Sequence, residues 1–538
     1  MNTVKQEVAM KNQTYPLTDS QLGVYLDCIK DPKTLEYNLT TSLFFDKSLG
    51  IEPEKLKAAV RQVVDHYPIL KSHIQAVSGV PSIVPSEDAE YEIEDLYSEE
   101  EDPEVFYKDF IQPIDLEKDP LFKFALVHAP GGLYLLEEIH HIIWDGTGIQ
   151  IFNENLIRAY QGAELIKEDK TGFDLCLEEE GRKETEAYRE SRAFYDGMLA
   201  GVEADSTILP DEIEPSEDLV IGKQQLFNLS DYMNPEEIPY KIKSFGLSNS
   251  TLFMGAFAYA LAKMTNQEQS VFCMIEGGRH KEEVKNTFTM MVKTLPLCIE
   301  INEEEKVADY LAKVQTMLGD LLKHDSCSIV ELAPEYEVNA DILFVYQGSL
   351  VQSVQMGENI LPIHKHRETD SATKLSLDVF RTENDYILDF EYRGDLYLDQ
   401  TIASFAELYI RILQGFMHSE QLKGISFVND KVKTFYQTAN DNSLSFDRSL
   451  TVVDLFRKQV QKFPGRTAVI YKDRAITYQE LDHITERLAE YLTGLGLQLE
   501  EPVGIMVKRS ERFPISIQSQ HTPSLLGKMR LRLMISLI

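Results

Sequence analysis

Cysteine is scarce in this chain, with five residues among 538. The cysteines are scattered, odd in number and free of CxxC spacing, which excludes a disulfide framework and a zinc knuckle as organising elements. We therefore expect reduced thiols in the core at all five positions, which are Cys28, Cys176, Cys273, Cys298 and Cys327.

Long apolar runs are also missing. The longest run covers residues 252–262, which is shorter than the roughly 20 residues that cross a bilayer and better suited to a buried helix. Residues 1–16 contain no apolar stretch of the kind that a signal peptide requires. The sequence therefore predicts a soluble, cytoplasmic protein without a membrane segment.

Positive charge is in deficit throughout most of the chain. Lys and Arg number 53 against 88 Asp and Glu, which gives a formal net charge of −35 and a pI near 4.7. Such a chain repels phosphate polymers, so we expect no nucleic-acid partner. The hydrophobic fraction of 43% is typical of soluble globular proteins, and the length predicts roughly three or four domain-sized units.

Three common catalytic motifs do not occur. The chain has no GxSxG nucleophile elbow, no GxxxxGKS phosphate loop and no GxGxxG after a strand. Each motif places a reactive or phosphate-binding group at a strand-to-helix turn. Their absence removes the basis for a hydrolase, kinase or dehydrogenase function.

The apolar periodicity changes repeatedly between that of a strand and that of a helix, which predicts an α/β fold. Predicted strands cover 38–46, 133–139, 225–229, 270–275, 341–347, 375–381 and 386–392, and predicted helices cover 54–66, 250–264 and 401–415. The charged residues 178–192 are typical of a surface connection, and the polar stretch 438–449 predicts a domain boundary.

The strongest chemical signal is an HHxxxDG pattern, formed by His140, His141, Asp145 and Gly146. It lies between a predicted strand and a predicted helix, and neighbouring residues on a strand point to opposite faces. One histidine can therefore face a cavity while the other packs. Two alternatives stay open: a pair of histidines that supports a turn, and a metal site, although no third clustered ligand is visible.

The segment HHIIWDG resembles the HHxxxDG active-site motif of condensation domains from nonribosomal peptide synthetases, which are relatives of chloramphenicol acetyltransferase. Other segments resemble further motifs of that family in the right order, namely 15–25 (YPLTDSQLGVY), 66–74 (HYPILKSHI), 277–279 (GGR) and 290–297 (MMVKTLPL). The resemblance covers about residues 15 to 430. Residues 324–331 follow the family loosely, and Val345 stands where many members carry a polar residue.

The resemblance implies an α/β fold of two chloramphenicol acetyltransferase-like lobes that meet in a V-shaped pseudo-dimer. We place the N-terminal lobe at 15–175 and the C-terminal lobe at 176–432, after a flexible leader at 1–14 and before a linker at 433–449. The chain is expected to be a monomer.

The implied reaction is amide formation. The amine of an aminoacyl thioester attacks an acyl or peptidyl thioester, and each substrate is carried on the phosphopantetheine arm of a carrier protein. Donor and acceptor carrier proteins are therefore the expected partners, with their arms as substrates. The resemblance implies no covalently bound cofactor and no metal in the chain itself.

The resemblance also implies roles for single residues. His141 would face the tunnel and accept or orient the proton of the attacking amine, while His140 would support the loop. Asp145 would hold the loop through an ion pair, for which Arg279 is the best candidate. Gly146 would allow the backbone to approach the thioester carbonyl closely.

Residues 450–515 resemble the start of an adenylation domain, and 476–481 (ITYQEL) matches its first core motif. The phosphate loop, ribose-binding aspartate and catalytic lysine of that family do not follow. We therefore expect an incomplete adenylation-domain start, mobile or prone to aggregation because apolar faces stay uncovered. Residues 516–538 form an unmatched basic tail.

Two other functions remain open. The first is a non-catalytic carrier-docking scaffold, or the inactive remnant of a truncated synthetase, which would lose nothing when His141 is replaced. The second is a stand-alone acyltransferase that uses small thioesters instead of carrier-loaded donors.

Overall fold

The computed structural model describes residues 13–86, 90–99, 107, 110–202, 206–214, 221–349, 353–366, 373–428, 430–443, 445, 447–496, 504–508 and 510–519. Most of the predicted leader and most of the predicted basic tail lie outside these residues. The chain divides into two compact units with the boundary between residues 429 and 430. In the part of the chain that the structure describes, no helix is both long and apolar enough to cross a bilayer.

The first part of the first unit alternates strands and helices. Its strands are β1 (Tyr15–Pro16), β2 (Asn38–Asp46), β3 (Ser72–Val77), β4 (Val80–Pro85), β5 (Ile93–Tyr97), β6 (Phe122–Ala129) and β7 (Gly132–His140). Its helices are α1 (Asp19–Lys30), α2 (Pro53–His66), α3 (Gly146–Gln161), α4 (Gly172–Glu180) and α5 (Glu186–Leu199). β1, β4 and β3 form a small sheet of their own.

The second part of the first unit continues the alternation. Its strands are β8 (Gly222–Asn228), β9 (Gln269–Glu276), β10 (Lys293–Glu300), β11 (Ile342–Gly348), β12 (Ser353–Met356), β13 (Asn359–His366), β14 (Leu375–Arg381) and β15 (Tyr386–Arg393). Its helices are α6 (Glu237–Phe245), α7 (Asn249–Thr265), α8 (Val307–Lys323), α9 (Ile329–Tyr336) and α10 (Asp399–His418).

Two larger sheets organise these elements, one in each lobe. The described strands of the first sheet run in the order β12-β13-β2-β7-β6-β5, and those of the second in the order β10-β9-β11-β14-β15-β8. In the second lobe, helix α7 contains the 252–262 run predicted to be a buried helix, and every residue of that run is buried. The predicted α/β fold is confirmed.

The first sheet contains two strands from late in the chain. β13 pairs antiparallel with β2, with Ile363 opposite Leu43, and β12 pairs with β13. Leu361 and Val354 pack in the core of the first lobe. The predicted lobe division at 175/176 therefore misplaces 353–366, because strand pairing between distant segments leaves no local pattern in a sequence.

Local patterns predicted most element bounds closely. The strands at 38–46 and 375–381 agree at both ends, and the helix at 54–66 differs by one residue. Residues 178–192 lie at the surface, as predicted, because all of them except Ser191 are exposed or half-buried, and α4 and α5 occupy most of this range. Thr185 caps α5, and the apolar side of that helix is narrow, with Tyr195 and Leu199 buried among many charged residues.

In its described residues, the second unit contains a two-stranded sheet and helices. Its elements are α11 (Asp430–Asn440), α12 (Val452–Lys462), β16 (Thr467–Tyr471), β17 (Arg474–Thr477), α13 (Tyr478–Gly494) and α14 (Arg512–Ser519). Helix α11 occupies the first half of the predicted linker at 433–449, so this part of the segment is helical and belongs to the second unit.

Candidate active site

The HHxxxDG segment lies where β7 ends and α3 begins. His140 is the last residue of β7, His141–Ile143 form a single 3₁₀ turn, and Asp145 is the N-cap of α3. The indole N–H of the buried Trp144 donates to the carbonyl of Ile139 at 2.9 Å and closes the turn. The strand, loop and helix that the sequence predicts are therefore present.

His140 is buried, with 2% of its surface exposed. Its Nδ1 accepts a hydrogen bond from the Ile142 amide at 3.2 Å, and its Nε2 lies 3.7 Å from Cys28 Sγ. Burial, and secondarily the neighbouring His141, lowers the pKa of His140 to about 3. His140 is thus a neutral imidazole held inside the loop.

His141 differs from its neighbour because the chain leaves the strand between them. Its side chain is only half-buried, and its Nδ1 lies 2.7 Å from the carbonyl oxygen of Trp144. A carbonyl only accepts hydrogen bonds, so Nδ1 carries the proton and Nε2 keeps a lone pair in the neutral ring. The main-chain N–H of His141 donates to the Tyr37 carbonyl at 2.7 Å.

Asp145 is fully buried and its carboxylate accepts three hydrogen bonds. Oδ1 accepts from the Gly148 amide at 2.9 Å, which caps α3. Oδ2 accepts from Arg279 Nη1 at 2.7 Å and from the Met291 amide at 2.9 Å. The expected pairing of Asp145 with Arg279 is therefore present.

Arg279 is nearly buried and joins Asp145 to the segment around residue 288. Nη2 donates to the carbonyls of Thr287 at 3.1 Å and Thr289 at 3.0 Å, and Nη1 also reaches the carbonyl of Gly277 at 3.2 Å. A buried ion pair is tolerated when most of its remaining donors and acceptors are satisfied in this way.

The glycine before Arg279 is required by geometry. Gly278 has a φ of +69°, and a Cβ at this position would lie 2.5 Å from the carbonyl oxygen of Met291. The backbone of 277–279 therefore approaches the backbone at Met291 more closely than any other residue type allows. This explains in physical terms why the segment resembling "SGR" carries glycine.

Gly146 is the first residue of α3 and is half-buried. Its position at a helix N-terminus places it among the amides that lack intrahelical partners. The structure therefore brings His140, His141, Asp145, Gly146 and Arg279 together in one loop and its support.

The metal alternative has little support from these contacts. The Asp145 carboxylate is engaged by N–H donors, and His140 Nδ1 already accepts a hydrogen bond. Among the residues that the structure describes, no group of three His, Cys, Asp or Glu side chains is arranged to hold a metal ion.

Two contacts from α1 were not predicted from the sequence. Gln21 Nε2 donates to the Ile142 carbonyl at 2.9 Å, and Cys28 Sγ is the neighbour of His140 described above. Gln21 lies within a segment quoted for its resemblance, so that motif was the available signal. Cys28 had no signal beyond the expectation of a buried thiol.

Two buried carboxyl groups stand just before the motif. Glu137 accepts from Thr41 Oγ1 at 2.7 Å and from Asn153 Nδ2 at 3.0 Å, which ties β7 to β2 and to α3. Burial raises the pKa of Glu137 to about 7, although these two hydrogen bonds act to lower it. Glu138 accepts from Asn38 Nδ2 at 2.7 Å, and burial raises its pKa to about 7 as well.

Comparison with known families agrees with this geometry. Residues 11–433 match the Condensation domain family, and residues 456–519 match the AMP-binding enzyme family. Because the first match covers most of the chain, the chain belongs to the condensation domain family. Condensation domains of nonribosomal peptide synthetases are acyltransferases that form amide bonds.

Individual relatives are large synthetases. The chain is 24% identical to gramicidin S synthase 2 of Brevibacillus brevis over 522 residues, covering 94% of this chain and 12% of the relative. It is 25% identical to surfactin synthase subunit 2 of Bacillus subtilis (strain 168) over 515 residues, covering 93% and 14% respectively. The chain therefore spans a small fraction of the length of these relatives.

Solved structures share the fold at low identity. The starter condensation domain of rhizomide synthetase RzmA, as a point mutant in complex with C8-CoA, has a TM-score of 0.65 at 17% identity, covering 78% of this chain and 99% of that one. The four-domain nonribosomal peptide synthetase AB3403, bound to AMP and glycine, has a TM-score of 0.69 at 18% identity, covering 94% and 41%.

Proposed function

We propose that this chain catalyses amide-bond formation between a carrier-bound acyl or peptidyl thioester and the amine of a carrier-bound aminoacyl thioester. The observation that carries the proposal is the orientation of the His141 ring and the tautomer that this orientation selects. Its Nδ1–H is directed to the Trp144 carbonyl, so Nε2 is the hydrogen-bond acceptor of a half-exposed ring in an otherwise buried loop.

The chemistry follows from that acceptor. The amine nitrogen attacks the thioester carbonyl, the C–N bond forms and the C–S bond breaks. The amine loses one proton, which His141 Nε2 accepts or directs, and the donor arm departs as a thiol. The lengthened product remains as a thioester on the acceptor arm.

Positioning supplies more of the rate than proton transfer. An α-amine has an ordinary pKa of about 7.7–8.0, so a useful fraction is neutral near pH 7, and a thioester is already an activated acyl donor. General base catalysis contributes about 10²–10⁴-fold, whereas alignment of two reactants contributes roughly 7–11 kcal/mol. Alignment of the two tethered substrates therefore supplies most of the rate, and acceptance of the amine proton by His141 is secondary.

The other motif residues support this site in the proposal. Asp145 and Arg279 hold the start of α3, and His140 fills the loop from inside. Gly146 lets the backbone at the helix N-terminus approach the thioester carbonyl. The phosphopantetheine arms of donor and acceptor carrier proteins are the substrates, and the chain needs no cofactor of its own.

The experiment is a mass-spectrometric search for amide product with the full chain. The donors are carriers loaded with fatty acyl, short acyl or dipeptidyl groups, together with the corresponding acyl-CoA thioesters, and the acceptors are aminoacyl carriers. His141→Ala is compared with His128→Ala, a partly exposed histidine that contacts Asp95 on β5.

Each outcome selects one function. Product from carrier-bound donors that disappears in His141→Ala and persists in His128→Ala supports the proposal. Equal use of acyl-CoA would favour the small-thioester acyltransferase. An absence of product across the panel with a folded protein, or product unaffected by His141→Ala, would overturn the proposed role and favour a scaffold.

A further inference from the structure

Helix α1 contacts the loop that carries the HHxxxDG motif, residues 140–146, at two points. We call this segment the histidine loop. Gln21 Nε2 donates to the Ile142 carbonyl at 2.9 Å, and Cys28 Sγ lies 3.7 Å from His140 Nε2. Gln21 and Cys28 are about two helical turns apart, so both lie on the same face of α1. The two contacts fall on the residues immediately before and after His141.

The contact of Cys28 with His140 has a defined direction. His140 Nδ1 accepts from the Ile142 amide, so the proton of the neutral ring is on Nε2. Nε2–H therefore donates to the Cys28 sulfur. Burial keeps the Cys28 thiol protonated by raising its pKa to about 12, and keeps the imidazole neutral.

Gln21 is itself held in one orientation. Its Oε1 accepts from the Thr18 amide at 3.0 Å and faces Cys176 Sγ at 3.6 Å, which leaves the amide nitrogen directed at the Ile142 carbonyl. The Thr18 hydroxyl accepts in return from the main-chain N–H of Gln21, so the pair forms a capping box at the start of α1. Gln21 is fully buried.

The outer side of α1 is tied to the second lobe. The Asp19 carboxylate pairs with Arg182, and Arg182 Nη2 also lies 2.9 Å from Glu331 of α9. A Cβ at Gly23 would lie 3.5 Å from Val330 Cγ2 of the same helix. Helix α1 is therefore placed between α9 and the histidine loop.

We propose that Gln21 and Cys28 are positioning residues for His141, and that α1 holds the 3₁₀ turn so that the Nδ1–H of His141 stays on the Trp144 carbonyl. This inference rests on the proposed function for its catalytic consequence, but the geometry it asserts is measurable without substrate. Neither residue touches the reacting atoms. Both act through the loop that carries His141.

The test combines two measurements on the full chain. The first is NMR of ¹⁵N-histidine-labelled protein, with the His140 and His141 ring signals assigned from His140→Ala and His141→Ala. The second is the steady-state rate of amide formation with the substrate pair identified as above. Thermal melting of each variant reports whether it folds.

The variants form matched pairs. Cys28→Ala removes the sulfur, whereas Cys28→Ser keeps an acceptor, and Cys298→Ala removes a buried thiol from the core of the second lobe. Gln21→Met keeps the side-chain length without the donor. Thr18→Ala weakens the same helix cap while leaving the Gln21 carboxamide opposite Ile142.

We expect the His141 Nδ1–H of Cys28→Ala and Gln21→Met to exchange with solvent at least about tenfold faster than in the native chain. The kcat should fall about tenfold with little change in KM, because a misplaced ring accepts the amine proton less effectively while carrier binding is unchanged. Cys28→Ser should recover part of the loss, and Cys298→Ala and Thr18→Ala should match the native chain in both measurements.

Two results would overturn the inference. One is a native-like His141 ring signal in folded Cys28→Ala and Gln21→Met. The other is a loss of equal size in the control variants, which would reveal a general effect of packing or helix capping. If the native chain forms no amide, the ring signals still decide whether α1 positions His141, so failure of the proposed function is distinguishable.

Discussion

The two units bury their helices to very different degrees. In the first unit α7 is enclosed over the whole 252–262 run, against a sheet of six described strands and neighbouring helices. In the second unit α12 and α13 leave Leu455, Ile484 and Tyr491 exposed beside a sheet of two described strands. A two-stranded sheet offers too little surface to cover amphipathic helices on its own. The first unit therefore buries the larger core. It also contains the candidate site.

The largest effect should come from breaking the buried ion pair of the first unit. Arg279→Ala leaves the Asp145 carboxylate buried without its cation. It also removes the hydrogen-bond donor of the Thr287 and Thr289 carbonyls. Removing one partner of a buried pair costs about 3–5 kcal/mol. Differential scanning calorimetry should show a lower melting temperature for the first unit.

The control for this prediction is Arg457→Ala in the second unit. Arg457 pairs with Glu486 at 2.9 Å on the surface, where an ion pair contributes about 0–1 kcal/mol. Equal destabilisation by the two alanine variants would contradict the view that the strongly coupled charges lie in the first unit.

A second effect is a pH dependence that originates at Glu137. Its pKa is about 7 in the folded chain against an ordinary value of 4.5. The folded state therefore binds this proton more tightly, so the associated stability is fully present below about pH 4.5 and is lost as the pH rises through 7. Glu137→Gln should unfold with a smaller dependence on pH across this window, and above pH 7 it should be more stable by up to about 3 kcal/mol.

Urea titrations at a series of pH values measure this difference. Glu154→Gln is the control, because Glu154 lies on the same helix as Asn153 but is not fully buried. The interpretation fails if Glu137→Gln and the native chain lose stability in parallel between pH 4.5 and 7, or if the glutamine variant is the less stable one at pH 8.

The third prediction concerns catalysis by the first unit. His141→Ala should reduce amide formation about 10²-fold at pH 7, within the range of general base effects. Most of the activity should return at alkaline pH, where the amine is neutral without help. The pH–rate profiles of the two proteins measure this. A loss of the same size at every pH would instead assign to the imidazole a purely positioning or structural role.

The residues of the site show how far sequence reasoning reaches. The histidine loop was predictable because the motif is compact, and the pairing of Asp145 with Arg279 was predicted from the resemblance to condensation domains. The contacts of Gln21 and Cys28 were not, because they join α1 to a loop more than a hundred residues away through polar atoms without periodicity. Residues 353–366 were assigned to the wrong lobe for a different reason, because pairing between strands far apart in the chain leaves no local pattern in the sequence.

The smallest effect should follow removal of the second unit. A chain that ends at residue 429 retains both large sheets and all the hydrogen bonds of the candidate site. We expect its main melting transition to shift by less than about 2 °C, since surface changes are usually worth within about 0.5 kcal/mol. Amide formation should stay within about twofold of the full chain.

The apolar surface of the second unit sharpens this last prediction. Leu455→Ser and Ile484→Ser in the full chain remove exposed apolar area, so they should reduce self-association in light scattering without moving the main transition. Leu156→Ser places a hydroxyl in the core of the first lobe. It should lower the temperature of the main transition, because burial of an unpaired polar group is costly. If truncation at 429 abolished the transition, the first unit would depend on the second for its stability. The two units would then unfold as one cooperative structure, and the difference in burial between them would not mark a difference in stability.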